Sequence, residues 1–168
     1  MPDKQTLERA HKDAREGKSP STQAGEFVRE EVHHIREGKH GARSTKQAIA
    51  IGLSKARRSG VKLKPPRRGK ASSRTRKQAT RDYSRGQSHT GRRTSSRRSR
   101  ATSRALKREG QGAASRSSLS RQARSTARSR SSADRHRSAK RAAQTKGRTR
   151  RSQASQKAAR TRRSRARH

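Results

Sequence analysis

The sequence contains no cysteine and no tryptophan, and it has one phenylalanine and one tyrosine among 168 residues. The absence of cysteine excludes disulfide bonds and thiolate metal ligands. The scarcity of aromatic side chains excludes a platform on which successive bases of a single strand could stack. Apolar residues make up only 22% of the chain, whereas a globular domain has about 45–50%. Few side chains are therefore available to offset the chain entropy that folding costs.

Long apolar runs are also missing. No stretch approaches the roughly 20 apolar residues of a membrane-spanning helix, and the first residues, Met1 to Lys4, begin no apolar segment. We therefore expect no secretory signal peptide, no membrane span and a cytoplasmic location. The sequence has no Gly-rich phosphate loop after a strand and no paired carboxylates in an apolar setting. We predict that the protein is not an enzyme and that it uses no cofactor.

Acidic residues are few, and basic residues are many. The chain has 11 Asp and Glu against 50 Lys and Arg, which gives a net charge of +39. A charge of this size indicates a polyanionic partner. Helices that lie on an anionic membrane pair their basic face with Trp, Phe or Leu, and the basic part of this chain has no such face. Nucleic acid, which releases condensed counterions when basic side chains bind it, is the predicted partner.

The chain changes in character at Pro65-Pro66. Residues 1–63 hold eleven large apolar residues (Ile, Leu, Val, Phe or Met) and a net charge of +6, whereas residues 64–168 hold two and a net charge of +33. A pair of prolines ends a helix and favours extended chain. We predict a small all-α module of two to three short helices at 1–63. A long, mostly disordered Arg/Ser/Ala-rich tail, which could fold on binding, is predicted at 64–168.

Apolar periodicity predicts the helices of the module. They run over about 4–16, 22–37 and 44–59, and each is followed by a glycine that can end it. The third has a capping box, in which Ser44 is the N-cap and Gln47 reaches back to the helix start. The predicted apolar faces are Leu7, Ala10 and Ala14; Ala24, Val28, Val32 and Ile35, with Phe27 beside them; and Ile49, Leu53 and Ala56.

Arginine is the predicted binding residue of the tail, because its guanidinium pairs bidentately with phosphate and enters narrow minor grooves. Three stretches without proline, 101–109, 119–130 and 139–146, are expected to become helical once DNA neutralises them. The predicted nucleic-acid-binding residues are Arg67, Arg68, Lys70, Arg74, Arg76, Lys77, Arg92, Arg93, Arg97, Arg98, Arg100, Arg148, Arg150, Arg151, Arg160, Arg162, Arg163, Arg165 and Arg167.

Histidines and glutamates cluster in the second predicted helix and just after it, where they could hold a metal. The members are His33, His34, His40, Glu30, Glu31 and Glu37. On a helix, two His–Glu pairs lie at i, i+4. Because no cysteine is present and no supporting second shell is evident, we interpret the cluster as a solvated polar face with ion-pair contacts. No metal site is predicted.

Two other patterns leave alternatives open. The helices at 22–37 and 44–59 could form a helix-turn-helix whose second helix presents Lys46, Lys55, Arg57 and Arg58, or a hairpin that docks a partner or a second copy. Arg-Glu-Gly occurs at 15–17, 36–38 and 108–110, each time before a Ser or Thr. This recurrence indicates either a degenerate helical repeat or chance in an Arg- and Gly-rich chain.

Residues 46–53 read Lys-Gln-Ala-Ile-Ala-Ile-Gly-Leu, and basic residues and the Pro65-Pro66 exit follow. Together with Gly17–Phe27, this phrase resembles a bacterial family of small basic proteins that carry a domain of unknown function. The resemblance covers roughly residues 1–83. It implies a bacterial source and no activity that can be carried over. The tail resembles, in composition, the basic tails of linker-histone-like bacterial nucleoid proteins.

The leading hypothesis is sequence-non-specific binding of nucleic acid, with DNA favoured over RNA. Its role would be to coat or compact DNA as a nucleoid-associated accessory protein in a bacterial cytoplasm. One alternative is an RNA- or ribosome-associated basic protein. The other is a helical module that docks a protein partner and carries a solubilising or regulated tail. The module could also form a homo-oligomer, and no small-molecule substrate is expected.

Overall fold

The computed structural model describes residues 2–88 and 95–165, and the side chains of 145–154 and 164–165 lie outside that description. The chain divides into two units, Met1–Arg124 and Ser125–His168. The described residues form seven α-helices and one 3-10 helix: α1 (Lys4–Arg15), α2 (Pro20–Arg36), α3 (Thr45–Arg58), α4 (Ser73–Gln87), α5 (Ser96–Lys107), the 3-10 helix (Gly112–Ala114), α6 (Arg116–Ser129) and α7 (Ser132–Arg165).

The three helices predicted within residues 1–63 are confirmed as α1, α2 and α3. The predicted fold class is wrong, because residues 64–168 are not a long, mostly disordered tail. Four further helices cover most of the described residues of this region. Of the three stretches expected to become helical, they include 101–107, 119–129 and 139–146. Arg, Ala, Gln and Lys have favourable helix propensities, and no proline follows Pro66. The low apolar content therefore did not prevent helix formation.

Serine hydroxyls mark the beginnings of helices in both halves of the chain. The side chains of Ser19, Ser44, Ser72, Ser115 and Ser131 each accept a hydrogen bond, 3.1–3.4 Å long, from the backbone N–H three residues further on. Such an N-cap satisfies one of the amide groups that the first turn leaves without a partner. Three of these caps, Ser72, Ser115 and Ser131, lie within residues 64–168, the region predicted to be a disordered tail.

The predicted capping box of α3 is confirmed in part. Ser44 is the N-cap and accepts from the backbone of Gln47. The Gln47 side chain does reach back, but its oxygen accepts from the N–H of Arg43 at 2.9 Å, one residue before the position that a capping box uses. The helix ends as predicted at Gly60, whose φ of +89° lies in the left-handed region that glycine favours.

Helices α2 and α3 approach each other closely at Gly52. A Cβ atom built on this glycine would lie 2.7 Å from the Cα of Val28 and 3.0 Å from the carbonyl oxygen of Phe27. The buried positions of α3 are accordingly the small residues Ala48, Gly52 and Ala56, together with Thr45 and Arg57. The predicted apolar face is therefore rotated, since Ile49 and Leu53 are only half-buried.

Two small apolar clusters form the core of the first unit. The first joins α1, α2, α3 and the segment after α3, and its buried members are Ala10, Ala24, Phe27, Ala56 and Val61. Leu7, Leu53 and Leu63 pack at its edge. The second consists of Ile35, Ala42, Ala48, Ala113 and Ala114. Alanine supplies most of the buried apolar positions, which explains how a chain with so few large apolar residues builds a core.

The second cluster brings residues 106–115 onto α2 and α3. The Thr45 hydroxyl donates to the carbonyl oxygen of Ala113 at 2.7 Å, and the Arg36 guanidinium donates to that of Ala114 at 2.9 Å. The backbone of Gly41 donates to the carbonyl of Leu106 at 2.9 Å. The third Arg-Glu-Gly copy, at 108–110, lies in this docked segment. Part of the region assigned to the tail is thus an integral part of the helical unit.

Helix α4 packs on α3 through small and polar contacts. A Cβ atom built on Gly86 would lie 1.8 Å from the carbonyl oxygen of Arg57, so only glycine allows this approach. The buried carboxylate of Asp82 accepts from the hydroxyl of Ser54 at 2.7 Å and from the amide of Gln78 at 3.2 Å. These contacts fix which face of α4 is turned away from the unit.

Candidate nucleic-acid interface

Most carboxylates of the first unit lie against basic side chains of the same unit. The pairs are Asp13 and Glu16 with Lys18, Glu26 with Arg9, Glu30 and Glu31 with Lys55, Glu37 with Lys39, and Asp82 with Arg58. The negative charge is therefore compensated locally. An approaching ligand therefore meets mainly the field of the exposed basic side chains outside these pairs.

Two of the four basic residues that the helix-turn-helix interpretation assigned to its recognition helix, Lys55 and Arg57, make contacts within the unit. Lys55 is ion-paired with Glu30 and Glu31. Arg57 is buried and donates to the carbonyl of Leu63 at 3.1 Å, and burial lowers its pKa against the opposing effect of Asp82. Of the other basic residues assigned to that surface, Lys46 is exposed, and Arg58 is exposed 3.9 Å from the Asp82 carboxylate. Helix α3 is thus a packing element.

Helix α4 carries a basic surface, which we call the α4 ridge and which consists of Arg74, Lys77, Arg81 and Arg85. These side chains are exposed, and their spacing of 3, 4 and 4 residues places them along one side of the helix. The buried residues Ala79, Asp82 and Gly86 occupy a different side, against α3. Arg74 and Arg85, at the ends of the ridge, are eleven positions apart, which corresponds to about 16 Å along the helix axis.

The structure distributes the predicted binding residues over several elements. Arg67, Arg68 and Lys70 are exposed in the connection between α3 and α4. Arg74 and Lys77 belong to the α4 ridge, and Arg76 on the same helix is half-buried. Arg97, Arg98 and Arg100 are exposed on α5, and Arg160, Arg162 and Arg163 are exposed on α7. Arg148, Arg150, Arg151 and Arg165 lie on α7 without described side chains, and Arg92, Arg93 and Arg167 lie outside the described residues.

Sequence reasoning missed several exposed basic residues of these helices. Arg81 and Arg85 complete the α4 ridge, and Arg104 and Lys107 are exposed at the end of α5. A signal for the ridge exists, because positions 74, 77, 81 and 85 follow helical spacing. It could be used only once the region was recognised as helical, and the serine cap at Ser72 is the local indication of that.

The second unit consists mainly of α7, whose 34 residues span about 51 Å. Its described side chains include none that is buried, and the sequence offers no apolar stripe along it. Arginines three or four residues apart on a helix repel one another. A helix that is polar on all sides gains no packing energy from a core, so phosphate groups that neutralise it would stabilise it.

A buried polar cluster lies between α2 and α3, and it involves the residues considered as metal ligands. Lys55 is 3.1 Å from Glu30 and 2.7 Å from Glu31. Burial opposes the charge of this ammonium group, but hydrogen bonds and the charges of Glu31 and Glu30 outweigh it and raise the pKa of Lys55. The interpretation of this face as solvated is wrong for Glu30 and Glu31, which are 6% and 0% exposed.

Comparison with known proteins gives one family match. Residues 20–68 match a family described as a family of unknown function (DUF6496), and the match spans α2, α3 and the Pro65-Pro66 segment. It confirms the resemblance over these residues; the wider range of 1–83, the bacterial source and the linker-histone-like tail stay predictions. No curated protein and no solved structure matches the chain.

Proposed function

We propose that this protein binds nucleic acid through phosphate contacts, without sequence preference, and that duplex DNA is its main ligand. The observation that carries the proposal is the α4 ridge, a row of exposed basic side chains on a helix whose other side is fixed against α3. The fixed helix holds the positions that carry these guanidinium and ammonium groups in a row, and such groups pair with the phosphate oxygens of a nucleic-acid backbone.

The aromatic residues support a duplex rather than a single strand as the ligand. Proteins that hold single strands stack successive bases on exposed aromatic rings. Phe27 is fully buried in the core, and Tyr83 is half-buried on α4. With no tryptophan in the chain, stacking contributes little, and the phosphate backbone is left as the feature that the protein can bind.

Helices α5 and α7 each carry further exposed arginines. Arg97, Arg98 and Arg100 are exposed on α5, and Arg160 to Arg163 includes three exposed arginines on α7. Each phosphate that these groups neutralise releases condensed counterions, so the gain in free energy is largest at low salt.

No helix of the described part has the length and apolar character needed to cross a bilayer. In cells we propose DNA coating, as a nucleoid-associated accessory protein.

Affinity for a mixed-sequence DNA duplex across a salt series tests the proposal. The α4 variant changes Arg74, Lys77, Arg81 and Arg85 to Gln. A matched control changes four exposed basic residues elsewhere to Gln, namely Lys4, Lys12, Arg15 and Lys46. Both variants lose four charges. The slope of log K against log salt is negative. We expect its magnitude to decrease by about 3 to 4 in the α4 variant alone, since each phosphate contact contributes about −0.9.

Equal loss in the two variants would show that net charge, and not the α4 ridge, governs binding. Structured RNA as a competitor separates the two nucleic acids: if RNA displaces the duplex at lower concentration, RNA is the ligand. If neither polymer binds at physiological salt, the proposal is wrong, and the helical unit is better regarded as a module that docks a protein partner.

A further inference from the structure

Three groups with metal-ligand chemistry converge beside α2. Glu31 and His34 lie one turn apart on this helix, and His40 lies in the connection between α2 and α3. Their ligand atoms are all within 4.8 Å of one another. The turn at Gly38, with φ of +73°, reverses the chain after α2 and returns His40 to the helix. The local fold therefore brings the carboxylate of Glu31 and the imidazoles of His34 and His40 close together.

The Glu31 carboxylate is buried, and a lysine ammonium group lies at one of its two oxygens. Its side chain is 0% exposed. Oε2 lies 2.7 Å from the Nζ atom of Lys55, and Oε1 lies 3.2 Å from Nε2 of His40. Burying a carboxylate is costly unless a cation compensates it. The Lys55 ammonium group compensates Oε2 of Glu31, whereas Oε1 faces His40.

The two imidazole rings are held from their outer sides. Nε2 of His34 lies 3.2 Å from the Asp3 carboxylate, and Nδ1 of His40 lies 3.1 Å from the Gly41 carbonyl oxygen. An oxygen acceptor at one ring nitrogen fixes the proton there and leaves the lone pair on the other nitrogen. For His40 that other nitrogen is Nε2, which faces Oε1 of Glu31. A lone pair and a carboxylate oxygen at this distance repel unless a proton or a metal ion lies between them.

We propose that Glu31, His34 and His40 bind a divalent transition-metal ion, and that zinc is the ion this donor set suits. Zinc takes imidazole nitrogen and carboxylate oxygen at about 2.0–2.1 Å in tetrahedral geometry, so two of its ligands lie about 3.3–3.4 Å apart. The 3.2 Å between Glu31 Oε1 and His40 Nε2 is close to that separation. Small side-chain adjustments bring in His34, and water completes the coordination.

The surrounding charges agree with a doubly charged ion. Asp3, Glu30 and Glu31 bring three negative charges and Lys55 brings one positive charge, so this group carries a net charge of −2. Lys55 keeps Oε2 of Glu31 while zinc takes Oε1. Asp3 acts through His34 as a positioning residue. Zinc bound here would join α2 to the connection that leads into α3.

Zinc binding is measured on the full-length protein after treatment with a chelator and dialysis. Isothermal titration with zinc chloride gives stoichiometry and affinity, and the visible absorption of added Co²⁺ reports four-coordinate geometry with nitrogen and oxygen ligands. We expect one zinc ion per chain at this site and a higher melting temperature with zinc. Asp3→Asn should lower zinc affinity about 10–100-fold, as loss of an outer partner does, and His40→Gln should lower it further and abolish the Co²⁺ bands.

His33→Gln is the matched control, because His33 is on the same helix, is 69% exposed and pairs with Glu37 outside the cluster. This variant should bind zinc as the unchanged protein does. Far-UV circular dichroism checks that each variant is folded. Absence of zinc binding, or equal losses in His33→Gln and His40→Gln, would overturn the proposal. The metal proposal does not depend on nucleic-acid binding.

Discussion

The Thr45 hydroxyl and the carbonyl oxygen of Ala113, 68 residues apart in sequence, form a buried hydrogen bond of 2.7 Å. Thr45 opens α3, and Ala113 lies in the short 3-10 helix that precedes α6. This bond and the packing of Ala114 beside Ile35 and Ala48 join two parts of the chain that differ greatly in composition. A boundary in composition is therefore not a boundary in packing here.

Overpacking at Ala114 tests this docking. Ala114 is fully buried, so Ala114→Leu should destabilise the protein by about 1–3 kcal/mol, the usual effect of extra methylene groups in a packed core. Ala123→Leu is the control, because Ala123 is exposed on α6. Thermal denaturation of both variants measures the difference. Equal stabilities would mean that residues 106–115 do not pack on α2 and α3.

Gly52 provides a second test of the packing. The Cβ atom of Gly52→Ala would meet the backbone of Val28, and backbone atoms cannot move aside as a side chain can. We expect a loss of about 1–3 kcal/mol in urea denaturation. Gly25→Ala on α2 is the counterpart: nothing lies within 4 Å of its Cβ position, so it should stabilise by about 0.5–1 kcal/mol. A stabilising Gly52→Ala would contradict the close approach of α2 and α3.

Lys55 should be more important for stability than an exposed lysine of the same helix. Lys55→Met leaves the buried carboxylates of Glu30 and Glu31 without their shared ammonium group, and breaking a buried ion pair in this way costs about 3–5 kcal/mol. Lys46→Met, at an exposed site, should change stability by less than about 0.5 kcal/mol. Chemical denaturation compares them, and similar values would show that the carboxylates are reached by water.

Helix α7 gives a prediction that links stability to the proposed ligand. Its basic side chains repel one another along the helix, and phosphates that neutralise them should raise its thermal stability. Helical ellipticity of the full-length protein, followed against temperature, should melt at a higher temperature with a short duplex at low salt. The increase should disappear at high salt. An increase that salt does not affect would indicate contacts other than phosphate pairing.

The sequence predicted the first three helices because apolar periodicity and glycine stops were both present there. After Pro66 it predicted helices only for three stretches bound to DNA, since periodicity needs large apolar residues and residues 64–168 contain only Leu106 and Leu119. The buried apolar side chains described in this region are those of Ala79, Ala113 and Ala114, and alanine is equally common on helix surfaces. The cluster around Glu31 was visible in sequence, but its burial was not, because it depends on how α2 rotates against α3.

Serine capping gives the arginine-rich region a physical rule that its composition hides. Ser72, Ser115 and Ser131 determine where helices begin, whereas most residues between them face solvent. Exchange among arginine, lysine, alanine and glutamine at exposed positions should therefore leave the helices in place. Loss of one of these hydroxyls would destabilise the start of its helix by about 1 kcal/mol. Insertion of a single residue within a helix would instead turn the following side chains by about 100°. Sequences of this kind can differ at many exposed residues while the order and lengths of their helices stay the same.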